Sequence, residues 1–163
     1  MEQGYSYIRY HSIPLEVPCF LKSLWPYDFP LDQWPTFCGA GSGLGDMIVP
    51  DHIFGVQIAP ACFIHDIDWS YLPNTEEAFH SSNFRLFNNL KAIIDTILSP
   101  PESHIAHVVC ADYYVAVSTV GKEFFKKDPA DQVTVTNPLN HLVVQEKLSR
   151  LQAVVNRSLK HDD

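Results

Sequence analysis

The stretch FCGAGSG, Phe37 to Gly43, followed by ACFIHDIDW, Ala61 to Trp69, decides how the rest of the chain is read. The first piece looks like a phosphate-cradling loop, but two such readings fail on the residues. A dinucleotide fingerprint on Gly39 and Gly41 needs a glycine where Leu44 stands, with a strand before it and a helix after. A nucleophile elbow at Ser42 needs glycines where Ala40 and Leu44 stand. Alternate glycines also suit a loop whose backbone carbonyls turn towards one cation, because glycine adopts positive φ at little cost. A hard cation such as calcium takes about six to eight oxygens, carboxylates among them. The loop itself lacks a carboxylate, and Asp66 is the candidate to supply it.

In the second piece, Pro60 suits the first turn of a helix running to about Tyr71. On that helix Cys62 stands one turn before His65 and Asp66. The chain has four cysteines, Cys19, Cys38, Cys62 and Cys110, and the count leaves one bridge, two or none open.

Outward from this centre, Pro73 stops the first helix, and Asn74 with Glu77 forms a loose capping box for a second helix reaching about Leu98. Its apolar positions Phe84, Phe87, Leu90, Ile94 and Ile97 predict one buried face. After SPPES a third helix is expected from about Glu102 to Lys127, with Ile105, Val108, Val109, Ala116, Val120 and Phe124 inward and Gly121 marking close packing or a bend. Asn137-Pro138 starts a last helix to about Ser158–Lys160, with a stripe of Leu142, Leu148, Leu151, Val154 and Val155. Residues 1–36 carry five prolines, which exclude long helices. They read as an irregular segment anchored by Trp25, Tyr27, Phe29 and Trp34, and MIVPDHIFGVQI reads as a short strand or hairpin. The expected architecture is one mainly α domain: irregular 1–36, core 37–127 and C-terminal helix 138–160.

The bulk numbers agree with one globular unit: 163 residues, 46% hydrophobic, 18% charged. A net charge of −8, with no basic cluster larger than Lys126-Lys127, argues against a nucleic-acid partner. No apolar run reaches the roughly 18–20 residues of a membrane span, and residues 1–18 do not read as a signal peptide. The compartment and the oligomeric state stay open; a cytoplasmic, a mature secreted and a phage-delivered protein all accommodate these features.

Together, the loop and the Cys-x-x-His-Asp helix resemble the phospholipase A2 superfamily over Phe37 to Trp69. The longer helices agree in general layout, as in microbial or phage-encoded members. The resemblance implies calcium held by backbone carbonyls of Phe37, Gly39 and Gly41 and by the Asp66 carboxylate. It implies a Cys38–Cys62 disulfide pinning the loop beside the helix, and the Gly39 N–H facing the oxyanion. It implies His65 as general base for water, with Trp69 where the family often has a bracing tyrosine, and a phospholipid or membrane interface as partner. The implied reaction is hydrolysis of a fatty acyl ester, with the cation as Lewis acid.

Three features depart from the family pattern. The segment from Gly43 to Ala61 is long and carries Asp46 and Asp51. Ala61 stands where the family usually has a second cysteine, which leaves Cys19 and Cys110 without an assigned partner: they either pair with each other or are buried thiols, the second reading being slightly favoured. The family's carboxylate that holds the far imidazole nitrogen is missing. An antiparallel helix pair turning at Pro73 brings His80 to Asn83 opposite His65, at about 1.5 Å per residue. Asn83 is the best-placed partner, and an amide orients an imidazole without stabilising its charge. Two other readings therefore stand beside the enzyme: a non-catalytic binding or structural module on the same scaffold, and a metal or redox protein using Cys38, Cys62 and His65. His104 and His107 have metal-ligand spacing but read as a helix face. Tyr113 and Tyr114 read as packing, the last helix as a core-packing element.

Overall fold

A computed structural model of the chain describes residues 4–38, 51–123, 125 and 137–161. Gly39 and Gly41, the inward position expected of Phe124, and the connector before Asn137 lie outside the described residues. The fold is mainly α, with helices α1 (Ala59–Tyr71), α2 (Glu76–Ile97), α3 (Glu102–Thr119) and α4 (Leu142–His161). Two antiparallel hairpins accompany them: β1 (Tyr5–Tyr10) with β2 (Ile13–Pro18), and β3 (His52–Ile53) with β4 (Val56–Gln57).

The first hairpin corrects the expectation of an irregular N-terminal segment. Its register runs from Tyr5↔Pro18 to Tyr10↔Ile13, and its turn residues His11 and Ser12 both have positive φ, 45° and 68°. Neither is the glycine or asparagine that such a turn favours, so the usual hairpin signal is missing. The prolines are tolerated by register. Counted from the turn, Pro14 and Pro18 fall at positions whose N–H would point out of the ladder. Glu16 shares that parity, and its outward N–H goes to Asn89 Oδ1 at 2.9 Å, while Asn89 Nδ2 returns to Glu16 O at 3.0 Å. That amide on α2 fixes the hairpin to the helices. The inward residues Ile8, Tyr10, Ile13, Leu15 and Val17 are buried.

Beside the hairpin, Trp25, Phe29, Trp34, Phe37 and Phe63 form an aromatic core around Tyr10. Trp34 Nε1 donates to the Tyr10 hydroxyl at 2.8 Å, which in turn donates to the Phe29 carbonyl. Three of the four expected N-terminal anchors are core; Tyr27 is exposed.

Helix α1 is apolar nearly all round and lies in the centre, against α2, α4 and β2. Thr75, not Asn74, caps α2, its hydroxyl accepting from Ala78 N at 3.1 Å. The face of α2 that packs carries Phe79, Leu86, Leu90, Ile93 and Ile94, while Phe84 and Ile97 point to solvent. On α3 the expected inward Ile105, Val108 and Val120 are exposed, and Ser103, Ala106, Cys110 and Val117 are buried. The small side chains let α3 approach α2 closely, and the bulky residues are left outside. The helix ends at Thr119, and a short 3-10 turn over Gly121–Glu123 follows. Before α4, Asn137 caps a 3-10 turn over Pro138–Asn140 by accepting from Leu139 N. Leu142 is exposed rather than inward; Val144 and Leu151 are the buried residues of α4, with Leu148, Val154 and Val155 half-buried against the core. No described helix is long and apolar enough to cross a membrane.

Candidate active site

Cys38 and Cys62 form a disulfide, with Cα atoms 5.3 Å apart across 24 residues. It ties the residue at which the glycine loop begins to the second turn of α1. Cys19 and Cys110 are free and buried, and burial pushes the Cys110 thiol up to about 11. Both are inert core residues in this setting.

One turn beyond Cys62, the buried His65 side chain meets α2. Its Nε2 lies 2.8 Å from Asn83 Oδ1, and Asn83 is fully buried. An amide oxygen only accepts, so Nε2 carries the proton and Nδ1 is the nitrogen with the free lone pair. Burial dominates the electrostatics and pushes the imidazole down to about 4. The Asn83 contact opposes this, and the Arg85 charge adds to it. Asn83 Nδ2 is buried without a partner among the described residues. Trp69 packs tilted against the imidazole, with ring centroids 4.5 Å apart, and donates from Nε1 to Ser82 Oγ at 3.0 Å. His80, on the neighbouring turn of α2, instead pairs with Glu76 at the surface.

Asp66 faces away from this pair, towards α4. Its Oδ2 lies 3.4 Å from Lys147 Nζ, and both side chains are nearly buried. Burial pushes its carboxyl up to about 6, against the pull of Lys147 and Arg150. One turn beyond Lys147, Arg150 donates to the Thr36 carbonyl and lies over the Phe37 ring, 4.7 Å from its centroid. Thr36 Oγ1 donates to Asp51 Oδ2 at 3.2 Å, and Asp51 Oδ1 is buried with no partner among the described residues. Tyr113 faces the same region: its hydroxyl lies 3.6 Å from Cys62 Sγ, and burial followed by the Asp66 and Asp51 charges raises its pKa.

Among the described residues no three His, Cys, Asp or Glu side chains converge closely enough to hold a metal. What the described residues offer is Asp66 and Asp51, both within electrostatic reach of Tyr113, with one Asp51 oxygen orphaned. Carboxylate oxygens are hard donors, of the kind that suit calcium rather than a soft ion. His104 and His107 do not form such a cluster either; His107 pairs with Asp95 at 2.5 Å.

A second polar cluster on α1 has little signature in the sequence. Asp68, fully buried, accepts from Arg85 Nη1 at 2.6 Å and from the Tyr5 hydroxyl at 2.9 Å. The Tyr5 hydroxyl also meets Tyr71 at 2.8 Å, and the guanidinium stacks on the Tyr5 ring at 3.3 Å. Burial raises Asp68, while Arg85 and Tyr5 pull it back. The cluster joins hairpin, α1 and α2, and the Arg85 charge reaches His65. Its one sequence signal was the repeat of aspartate in HDID; Arg85 and Lys147 are too remote in sequence to be paired from spacing.

No protein-family model, curated protein or solved structure matches this chain.

Proposed function

We propose that this chain is a calcium-dependent, phospholipase A2-like ester hydrolase acting on a fatty acyl ester of a glycerophospholipid. The observation that carries the reading is the buried His65 Nε2–Asn83 Oδ1 contact on the helix that also bears Asp66 and the Cys38–Cys62 bridge. With Nε2 engaged, Nδ1 is the atom that takes a proton from water as the water attacks the ester carbonyl. Asn83 holds the tautomer, and Trp69 packs against the buried ring. Calcium, when held by Asp66 and the loop carbonyls of Phe37, Gly39 and Gly41, supplies Lewis-acid polarisation of the carbonyl. By the same resemblance the Gly39 N–H faces the oxyanion. No acyl-enzyme is required, because water is the nucleophile.

The test is fatty acid release from mixed phospholipid–detergent micelles with and without calcium. His65→Gln and Asp66→Lys are expected to abolish it. Absence of both calcium binding and fatty acid release in the unsubstituted chain would refute the proposal. One observation favours a second reading, a non-catalytic module: the imidazole's partner is a neutral amide and its own pKa is low. That reading expects no release from either the unsubstituted chain or Asn83→Asp.

A further inference from the structure

Lys147 and Arg150 occupy a place that no reading of the sequence gave them. A buried carboxylate needs a positive partner, and for Asp66 the chain brings one from 81 positions downstream, on α4. The Lys147 contact of 3.4 Å reaches one carboxylate oxygen only and is longer than a well-formed charge-assisted hydrogen bond. Among the described residues Lys147 is the one side-chain donor on Asp66. Arg150 extends the same basic face over Thr36 and Phe37, the residues that lead into the glycine loop. Two of the 11 basic residues of an acidic chain thus lie at Asp66 and at the segment leading into the loop. Helix α4 is held to the core by buried Val144 and Leu151, by half-buried Leu148, Val154 and Val155, and by a Ser158–Gln33 hydrogen bond near its end.

We propose that Lys147 is a built-in counter-ion of Asp66 which a divalent cation must displace. Docking of α4 and cation binding at Asp66 are therefore mutually antagonistic. The inference rests on the calcium reading of the site and adds its regulation. The physical reason is charge. An ammonium beside a single carboxylate opposes a dication at contact distance, because ammonium and dication then repel across a nearly buried space. The chain stays folded without calcium because Lys147 neutralises Asp66, and cation binding loosens α4. Linkage makes the effect reciprocal: whatever factor α4 docking takes from cation affinity, the cation takes from α4 docking.

The experiment is calcium titration by calorimetry, with terbium luminescence as a second probe. The proteins are the full-length unsubstituted chain, Lys147→Met and Lys147→Gln, with Asp66→Asn as blank. Hydrogen exchange of residues 142–161 is followed with and without calcium. The expected result is calcium affinity raised about tenfold or more by Lys147→Met, by less in Lys147→Gln, with faster exchange of α4 in the unsubstituted chain at saturating calcium. If Lys147→Met folds only when calcium is present, that too supports the antagonism. Equal affinities in all three proteins, with α4 exchange unmoved by calcium, would overturn the inference and leave the hydrolase reading standing. Binding of neither ion by any of the three would remove the calcium reading, and the inference with it.

Discussion

Asn83→Asp converts the neutral partner of His65 into a charge, and the size of the effect follows from the geometry. The contact is 2.8 Å between Nε2 and Oδ1, which puts the two charge centres about 4 Å apart. At an effective dielectric near 20, that pair is worth ~4 kcal/mol, or about three pKa units on the imidazole. Burial holds His65 at about 4 in the native chain, so the substituted protein should titrate at about 7. The substitution is sterically quiet. It exchanges an Nδ2 that has no hydrogen-bond partner among the described residues for an oxygen of similar size.

The assay is a nitrogen–proton correlation spectrum of the imidazole followed through an acid-to-neutral titration. It reads the ring directly and does not depend on turnover. Imidazole and introduced carboxylate titrate as a pair, so the apparent value belongs to both. A His65 pKa that stays below about 5 would refute the electrostatic account, because it would mean the introduced carboxylate is itself kept neutral by burial. Where the pKa rises, fatty acid release at neutral pH should rise at least about tenfold, since a base works best with its pKa near the working pH.

Three further outcomes are expected. Replacing Cys38 and Cys62 together by alanine opens a loop spanning 24 residues, which in the chain-entropy account costs about 3.5 kcal/mol; urea unfolding under non-reducing conditions measures it. Arg85→Met strands the fully buried Asp68 and should cost about 3–5 kcal/mol, whereas Arg85→Met combined with Asp68→Leu should cost less than that single change, in the same assay. His65 binds its proton less readily folded, at about 4, than unfolded, at 6.5. Its contribution to stability is therefore complete above pH 6.5 and is lost as pH falls towards 4, by up to ~3 kcal/mol. Asp66, raised to about 6, acts in the opposite sense across an overlapping range, so the histidine's share is read as the difference between unsubstituted chain and His65→Gln in denaturant melts at several pH values.

What the sequence disclosed, and what it did not, divides by the range of the interactions. Helices α1, α2 and α4 were legible because proline and capping residues are local punctuation. The opposition of His65 and Asn83 was legible because one tight turn at Pro73 joins two straight helices, and rise per residue then fixes which positions face. The β1–β2 hairpin escaped because its turn is made by His11 and Ser12 at positive φ, against their own preference. Its prolines also look like breakers until the register shows that their missing N–H groups lie outside the ladder. Helix α3 escaped for a different reason. Its buried face is Ser103, Ala106, Cys110 and Val117, while the bulkier Ile105 and Val108 that a hydrophobic pattern selects are exposed, so size of side chain ran opposite to burial. The Lys147–Asp66 pair was beyond any local rule, since two unrelated elements meet there across 81 residues. It also bears most directly on function. Catalytic residue types can be read from a motif, but whether a site is open or held by the chain's own charge is decided by distant packing. Here the packing puts an ammonium on Asp66, the carboxylate that the proposed calcium site would need.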